Sequence, residues 1–198
     1  STVIKAALKV ISENYAAQQS KGNVTILPIG RKGLEFFSKR NMPLIKKFST
    51  MFQSLTFAKV GGAADHVMEA YQKGEFDKVE IVYNEFKNVA TQILRVEQFL
   101  PILPSTEHKT ETDYLYQPDR EEIITGIIPK SLRTQLYKAV LDSNAAENGA
   151  RMTAMDKATE NAGELLKDLK LTYNRTRQAA ITKEILEIVA GAEALKSN

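Results

Sequence analysis

Apolar and polar residues follow two different patterns along the chain. Up to about residue 118, short apolar runs of strand length, at residues 23–30, 78–86 and 91–103, are separated by stretches with a helical stripe. From about residue 119 onward, helix-forming residues continue to the end with few interruptions by Gly or Pro. The pattern predicts an α/β domain over residues 1–118 and a long C-terminal helix over residues 119–198.

The order of elements in the first part favours a mainly parallel or mixed sheet covered by helices, that is, a partial Rossmann-like sheet. Residues 54–60 (SLTFAKV) are compatible with an edge strand or a loop, and the polar residues 104–119 with a loop or a hairpin return. The chain also opens inside a helical pattern that includes Val3 and Ile11. We therefore expect a fragment whose true N-terminus lies further upstream.

The long helix carries an apolar seam that the α/β domain is too small to cover. Pro129 predicts a kink or a fresh start, and a helix from there to the end would be of order 100 Å long. The seam steps by three and four residues through Met152, Met155, Thr159, Ala162, Leu166, Leu169 and Tyr173. Ile181, Ile185 and Ile188 form a second stripe near the end. Such a seam predicts a helical partner that this sequence does not contain.

Between the seam and the second stripe lies a polar collar, residues 173–178 (YNRTRQ), which covers every direction around the helix axis. Arg175, Arg177 and Gln178 are its strongest hydrogen-bonding side chains. An ordinary amphipathic helix keeps one polar face, so a collar on all sides indicates polar contacts that are made from several directions.

Composition excludes several classes of protein. The 198 residues include 27 basic and 24 acidic side chains, giving a net charge of +3, so no general attraction to nucleic acid is implied. The absence of Cys excludes disulfides, thiolate metal sites and Cys nucleophiles. No apolar run reaches the roughly 18 residues that a membrane-spanning helix needs.

Candidate catalytic chemistry is sparse. We interpret His66 and His108 as surface histidines, because neither belongs to an H-x-x-x-H pair or is accompanied by a carboxylate triad. The glycines of residues 30–33 (GRKG) and 60–65 (VGGAAD) match no nucleotide-binding fingerprint. Paired carboxylates such as Glu184 and Glu187 fit a solvated helix face. We therefore expect no catalytic, cofactor or metal site, and no enzyme activity from this chain alone.

Two stretches of the long helix carry a specific resemblance. Residues 150–162 (ARMTAMDKATENA) and 171–195 (LTYNRTRQAAITKEILEIVAGAEAL) resemble the C-terminal helix of the gamma-subunit family of F-type rotary ATP synthases. Residues 29–37 (IGRKGLEFF), 81–88 (IVYNEFKN) and 114–123 (YLYQPDREEI) follow the order of that family. The resemblance covers essentially the whole chain.

The resemblance implies a rotor shaft, a central-stalk subunit that couples proton flow through the membrane sector to ATP synthesis or hydrolysis. Implied partners are the alpha and beta subunits of the catalytic hexamer, the epsilon subunit and the membrane rotor ring. By position, Arg177 and Gln178 would contact an acidic loop of the catalytic subunit, with Arg175 beside them. The implied location is peripheral, at the cytoplasmic face of a bacterial inner membrane.

Two departures from the family pattern accompany the resemblance. Residues 146–149 (AENG) stand where the family usually has Ser-Glu-His-Ala, and the family's N-terminal helix and first strand are absent. That helix is the antiparallel coiled-coil partner that the seam calls for. Without it, we expect self-association through the exposed seam.

Two alternatives to a rotor remain open from the residues themselves. The first is a free-standing α/β enzyme with a helical oligomerisation tail, which a ligand-sized pocket lined by perturbed acids and bases would favour. The second is a coiled-coil adaptor or nucleic-acid binder, which the balanced charge does not favour.

Overall fold

The computed structural model describes residues 2–103 and 120–196. In chain order the helices are α1 (Thr2–Asn14), α2 (Ala16–Ser20), α3 (Arg31–Ser38), α4 (Phe57–Gln72) and α5 (Arg120–Lys196). The strands β1 (Val79–Phe86) and β2 (Gln92–Leu100) lie between α4 and α5. Short 3-10 turns at Lys46–Phe48 and Met51–Gln53 lead into α4. The predicted α/β class with a long C-terminal helix is confirmed.

The sequence signals at both ends of α4 explain its limits. The Thr56 hydroxyl accepts a hydrogen bond from the Lys59 amide at 3.4 Å, so Thr56 is the N-cap. The prediction of a strand or loop over residues 54–60 was therefore wrong from Phe57 onward. At the other end, Gly74 has a φ of 76°, and the amides of Gly74 and Glu75 bond to the carbonyls of Tyr71 and Ala70. This is a Schellman ending.

The two strands form an antiparallel hairpin. Val82 pairs with Val96 and Phe86 pairs with Gln92 across the ladder. Of the two sheet types expected, mainly parallel or mixed, these strands exclude the first, because the connection 87–91 is far too short for a parallel crossover. A parallel bridge joins Leu44 to Ile26, which lies in the run 23–30 predicted as a strand.

The first part of α5 belongs to the core of the α/β unit. Leu132, Leu136 and Val140 pack in one buried cluster with Val60 of α4 and Phe99 of β2. The chain divides into two compact units, Ser1–Gly149 and Ala150–Asn198. The first unit thus includes the beginning of α5, because that part of the helix supplies one wall of the core.

Several sequence-based expectations concern residues 104–119 or their neighbours. The predicted boundary at 118 and 119, the polar connection 104–119 and His108 lie outside the described residues. Pro129 lies inside α5, which runs through it without a break, so the fresh start expected there was wrong. Within the described residues, no helix is long and apolar enough to cross a membrane.

Candidate partner-binding helix

The second unit is one continuous stretch of helix, residues 150–196 of α5, about 70 Å long at about 1.5 Å per residue. Three threonines of this unit form side-chain hydrogen bonds within the helix. Thr159, Thr176 and Thr182 each donate to the backbone carbonyl four residues earlier, at 2.9–3.0 Å. A threonine bonded in this way presents its methyl group outward, which suits the place of Thr159 in an apolar seam.

The apolar side chains of this unit are exposed. Those of the predicted seam and stripe are between 48% exposed (Ile181) and 71% exposed (Ile188). The set comprises Met152, Met155, Leu166, Leu169, Tyr173, Ile181, Ile185 and Ile188. A soluble domain rarely leaves so long an apolar series uncovered, and such surfaces mark interaction sites. The geometry therefore fits a docking surface.

Arg177 lies on the same face as the apolar residues. It follows Tyr173 by four residues and precedes Ile181 by four, and at about 100° per residue these positions stack along one side of the helix. Gln178 lies on the flank of that face, and Arg175 points away from it. All three are exposed. A partner lying along the seam would therefore meet the Arg177 guanidinium directly.

The collar lies within a longer positively charged segment, residues 169–183. Between Asp168 and Glu184 the sequence contains no carboxylate, whereas it contains Lys170, Arg175, Arg177 and Lys183. Lys183 forms an ion pair with Glu187 at 3.7 Å. Within the described residues, neither arginine has an ion-pair partner. Arg175 and Arg177 can therefore bind carboxylates of a partner without first breaking an internal salt bridge.

Among the described residues, the cavity of the first unit contains no acid or base. A cavity of about 400 Å³ lies between the end of β2 and the start of α5. Its walls include Phe99, Ile102, Leu103, Ile127 and Ile128. None of the described residues that line it is ionisable, so it lacks the acids and bases that a free-standing enzyme would need.

The glycines of residues 60–65 and His66, considered above as candidates for a phosphate or metal site, have structural roles. Gly61 and Gly62 lie inside α4, away from any strand-to-helix turn that could hold a phosphate. His66 is half-buried, with its ring 5.7 Å from that of Phe48, so it is less exposed than a surface histidine. Among the described residues, no group of three potential metal ligands is found.

The perturbed groups of the first unit belong to the hairpin. Burial raises the pKa of Tyr83 to about 12, and its hydrogen bond to Glu97 at 2.9 Å acts in the same direction. The Glu80 carboxylate raises the pKa of Lys78, to which it is paired at 2.8 Å, and accepts a hydrogen bond from Tyr15 at 2.7 Å. These contacts join strands and helices and do not converge on a ligand site.

Sequence reasoning missed a set of contacts at the tip of the hairpin. Gln92 donates to the Ala146 carbonyl at 2.8 Å, and Gly149 lies against Phe86. A lone Gly in a helical stretch was the available signal, because such a residue can mark a close approach of another segment.

Comparison with known proteins agrees with these features. A sequence profile of the family described as ATP synthase matches residues 1–195. The ATP synthase gamma chain of Cytophaga hutchinsonii is 56% identical over 200 residues, which cover 98% of this chain and 68% of the relative. That of Chlorobaculum parvum is 52% identical over 196 residues, covering 98% and 67% respectively. The chain therefore spans about two thirds of the length of these curated relatives.

The fold also matches solved structures. A chain in the mitochondrial ATP synthase of Euglena gracilis, solved with OSCP, F1 and the c-ring in rotational state 3, superposes with a TM-score of 0.56. The identity is 24%, over 86% of this chain and 62% of that chain. At this level of identity the match supports the fold.

Proposed function

This chain belongs to the ATP synthase gamma-chain family, and we propose that it forms part of the central shaft of a rotary ATP synthase. In this role it carries no catalytic group of its own. It couples proton flow through the membrane sector to ATP synthesis or hydrolysis by turning inside the catalytic hexamer. The alternative of a free-standing α/β enzyme has no observation in its favour.

The exposed series of apolar side chains along residues 150–196 is the observation that carries the proposal. A shaft needs a second helix along part of its length, and the seam from Met152 to Tyr173 has the spacing for an antiparallel coiled coil. It also needs a smooth apolar end that slides within a bearing. Ile181, Ile185 and Ile188 would provide that end.

The basic collar gives the shaft a polar contact that can be exchanged. Arg175, Arg177 and Gln178 would bind a carboxylate-bearing loop of a catalytic subunit. Exposed ion pairs contribute about 0–1 kcal/mol, so one such contact can break and form again at the next subunit as the shaft turns. The partners are therefore the alpha and beta subunits around the helix, with the epsilon subunit and the membrane rotor ring at the α/β unit.

The proposed location follows from those partners. The complex is associated with a membrane, and this chain would be attached peripherally to it. We place it on the cytoplasmic face of a bacterial inner membrane, as its bacterial relatives suggest.

A paired substitution in the assembled complex tests the role of the collar. Arg177→Ala with Gln178→Ala should lower both ATP hydrolysis and proton-driven ATP synthesis. Lys157→Ala with Asn161→Ala is the matched control, because it removes the same charge and the same amide from exposed positions on the opposite side of the helix. Equal activities for the two double variants would contradict the proposed role of the collar.

Reconstitution tests the assignment itself. The chain is mixed with purified alpha and beta subunits, and assembly is followed by size-exclusion chromatography and ATP hydrolysis. A hexamer that contains the chain supports the proposal. If no complex forms, the mixture is repeated with a complete gamma subunit that carries these residues, and a second failure would overturn the rotor assignment.

A further inference from the structure

The tip of the β1–β2 hairpin contacts α5 at the last residues of the first unit. Gln92 Nε2 donates to the carbonyl oxygen of Ala146 at 2.8 Å. Ala146 is fully buried. A helical carbonyl has a second lone pair besides the one used in the helix, so Gln92 adds a hydrogen bond without removing one.

Gly149 allows the hairpin to come this close. A Cβ atom at this position would lie 3.2 Å from Cε2 of Phe86 and 3.5 Å from the Cα of Val89. The first distance is shorter than about nine in ten Cβ contacts in proteins, so even a methyl group here would require the Phe86 ring to shift by a few tenths of an ångström, and a larger side chain would require more. Phe86 and Gln92 are paired across the ladder, and the same rung of the hairpin therefore makes both contacts.

The hairpin tip has its own internal bracing. The Asn88 side chain accepts hydrogen bonds from the amides of Ala90 and Thr91, at 3.1 and 2.6 Å. The backbone groups of Asn88 and Thr91 bond to each other in both directions at 3.2 Å. A turn held by these bonds resists bending, so a push on the tip moves the whole hairpin.

A second contact holds the same helix near its beginning. Arg133 Nε donates to Asp65 Oδ1 of α4 at 2.6 Å. Arg133 and Gly149 are separated by about 24 Å of helix at 1.5 Å per residue. Two contacts that far apart, from two different elements, oppose both the tilting of α5 and its rotation about its own axis.

We infer that the hairpin tip is a clamp, formed by Phe86, Val89 and Gln92 against Ala146 and Gly149, which transfers torque between the α/β unit and the helix that follows. This inference rests on the proposed function, since torque has meaning only in a rotor. Gln92 and Gly149 are positioning residues in it. They set the angular position of α5 at the point where the helix leaves the compact unit.

Hydrogen exchange tests the clamp without any rotor. In the full chain, Gly149→Val should speed the exchange of the amides in residues 86–92 by on the order of tenfold, because the added side chain displaces the tip. Gly126→Val is the matched control, since it places the same residue in the same helix with no atom within 4 Å of the new Cβ. Equal exchange at the tip in the two variants would overturn the clamp.

Gln92→Ala is a milder variant that covers the case in which Gly149→Val does not fold. It removes the hydrogen bond to Ala146 and adds no volume, and we expect a severalfold increase in exchange at the tip. Gly149→Ala should also speed exchange at the tip, and Phe86→Leu combined with Gly149→Ala is its rescue, because a smaller side chain at position 86 makes room for the added methyl group. Slow exchange restored in that double variant supports the clamp.

Coupling in the assembled complex tests the torque step. Gly149→Val and Gln92→Ala should lower proton-driven ATP synthesis severalfold relative to ATP hydrolysis, whereas Gly126→Val should leave the ratio unchanged. A complex that assembles normally and keeps full coupling, despite fast exchange at the tip, would overturn the torque inference and leave the rotor assignment intact. Failure of every version of the chain to assemble would instead count against the proposed function.

Discussion

Arg133 of α5 donates its Nε hydrogen to Asp65 of α4 at 2.6 Å, and the pair lies over a glycine. A Cβ built on Gly61 would lie 3.6 Å from the Arg133 Cδ, so the aliphatic stem of the arginine rests on the bare backbone of α4. The interface between the two helices thus combines apolar contact with a polar rim. Asp65 therefore links α4 to α5 as a cross-helix partner.

The Asp65–Arg133 pair should contribute modestly to stability. Both side chains are partly exposed, at 34% and 42%, so solvent screens much of their attraction. A double-mutant cycle with Asp65→Asn and Arg133→Gln, followed by urea unfolding, should give a coupling free energy of about 0.5–1 kcal/mol. Raising the salt to about 1 M should reduce it. A coupling energy near zero at low salt would contradict this account.

Two glycines of the α4 region should respond to alanine with opposite signs. Gly74 has a φ of 76°, so Gly74→Ala should lower the free energy of unfolding by about 1 kcal/mol. Gly62 lies inside the helix with no atom within 4 Å of a new Cβ, and Gly62→Ala should raise it by about 0.5–1 kcal/mol. Thermal or urea unfolding of the two variants measures the difference. The same sign for both would show that the Schellman ending does not control this helix.

Leucines on the two parts of α5 should differ sharply in their effect on folding. Leu136 is 7% exposed and lies in the core, so Leu136→Ala should lower the free energy of unfolding by about 2–5 kcal/mol. Leu166 is 53% exposed, and Leu166→Ala should change it by less than about 0.5 kcal/mol. Urea unfolding of the first unit measures both values. Analytical ultracentrifugation of the two variants should show weaker self-association for Leu166→Ala and unchanged self-association for Leu136→Ala.

Stability should fall at alkaline pH because of Tyr83. Its pKa in the folded chain is about 12, above the value of 10.0 for an unperturbed tyrosine. The folded state therefore holds the phenol proton more tightly, and the resulting stabilisation is complete below pH 10 and is lost between pH 10 and 12. The loss should be about 2 kcal/mol.

The control for that pH dependence is Tyr83→Phe. Both proteins contain the same other tyrosines and lysines, so the difference between their unfolding free energies isolates the one phenol. That difference should shrink as the pH rises from 9 to 11.5. If it stays constant over this interval, Tyr83 does not have a raised pKa.

The long helix was predictable because its signal is local and repeated. Helix-forming residues, steps of three and four, and the motif around Arg177 lie within the sequence of α5 itself. The pairing of β1 with β2 could have been predicted from the short connection 87–91, since strand direction follows from loop length. The order of elements alone is compatible with a mainly parallel or a mixed sheet, and only the length of the connection excludes a parallel pairing of β1 with β2.

The limit of the compact unit could not be read from periodicity. Leu132, Leu136 and Val140 follow the same helical spacing as Leu166 and Leu169, yet only the first three are buried. Spacing tells which residues share a face of a helix, whereas burial depends on what packs against that face. The contacts of Gln92 and Gly149 escaped prediction for the same reason, since they join segments that are far apart in the sequence.

The use of α5 as one wall of the core has a consequence for biosynthesis. Val60, Phe99 and Leu132 meet in one cluster, so the α/β unit cannot close until the beginning of α5 has been synthesised. The chain that precedes α5 therefore emerges from the ribosome with the apolar side chains of its core still exposed. The residues that close the core are followed at once by the exposed stretch 150–196, and a nascent chain would complete its folding just as its docking surface begins to appear.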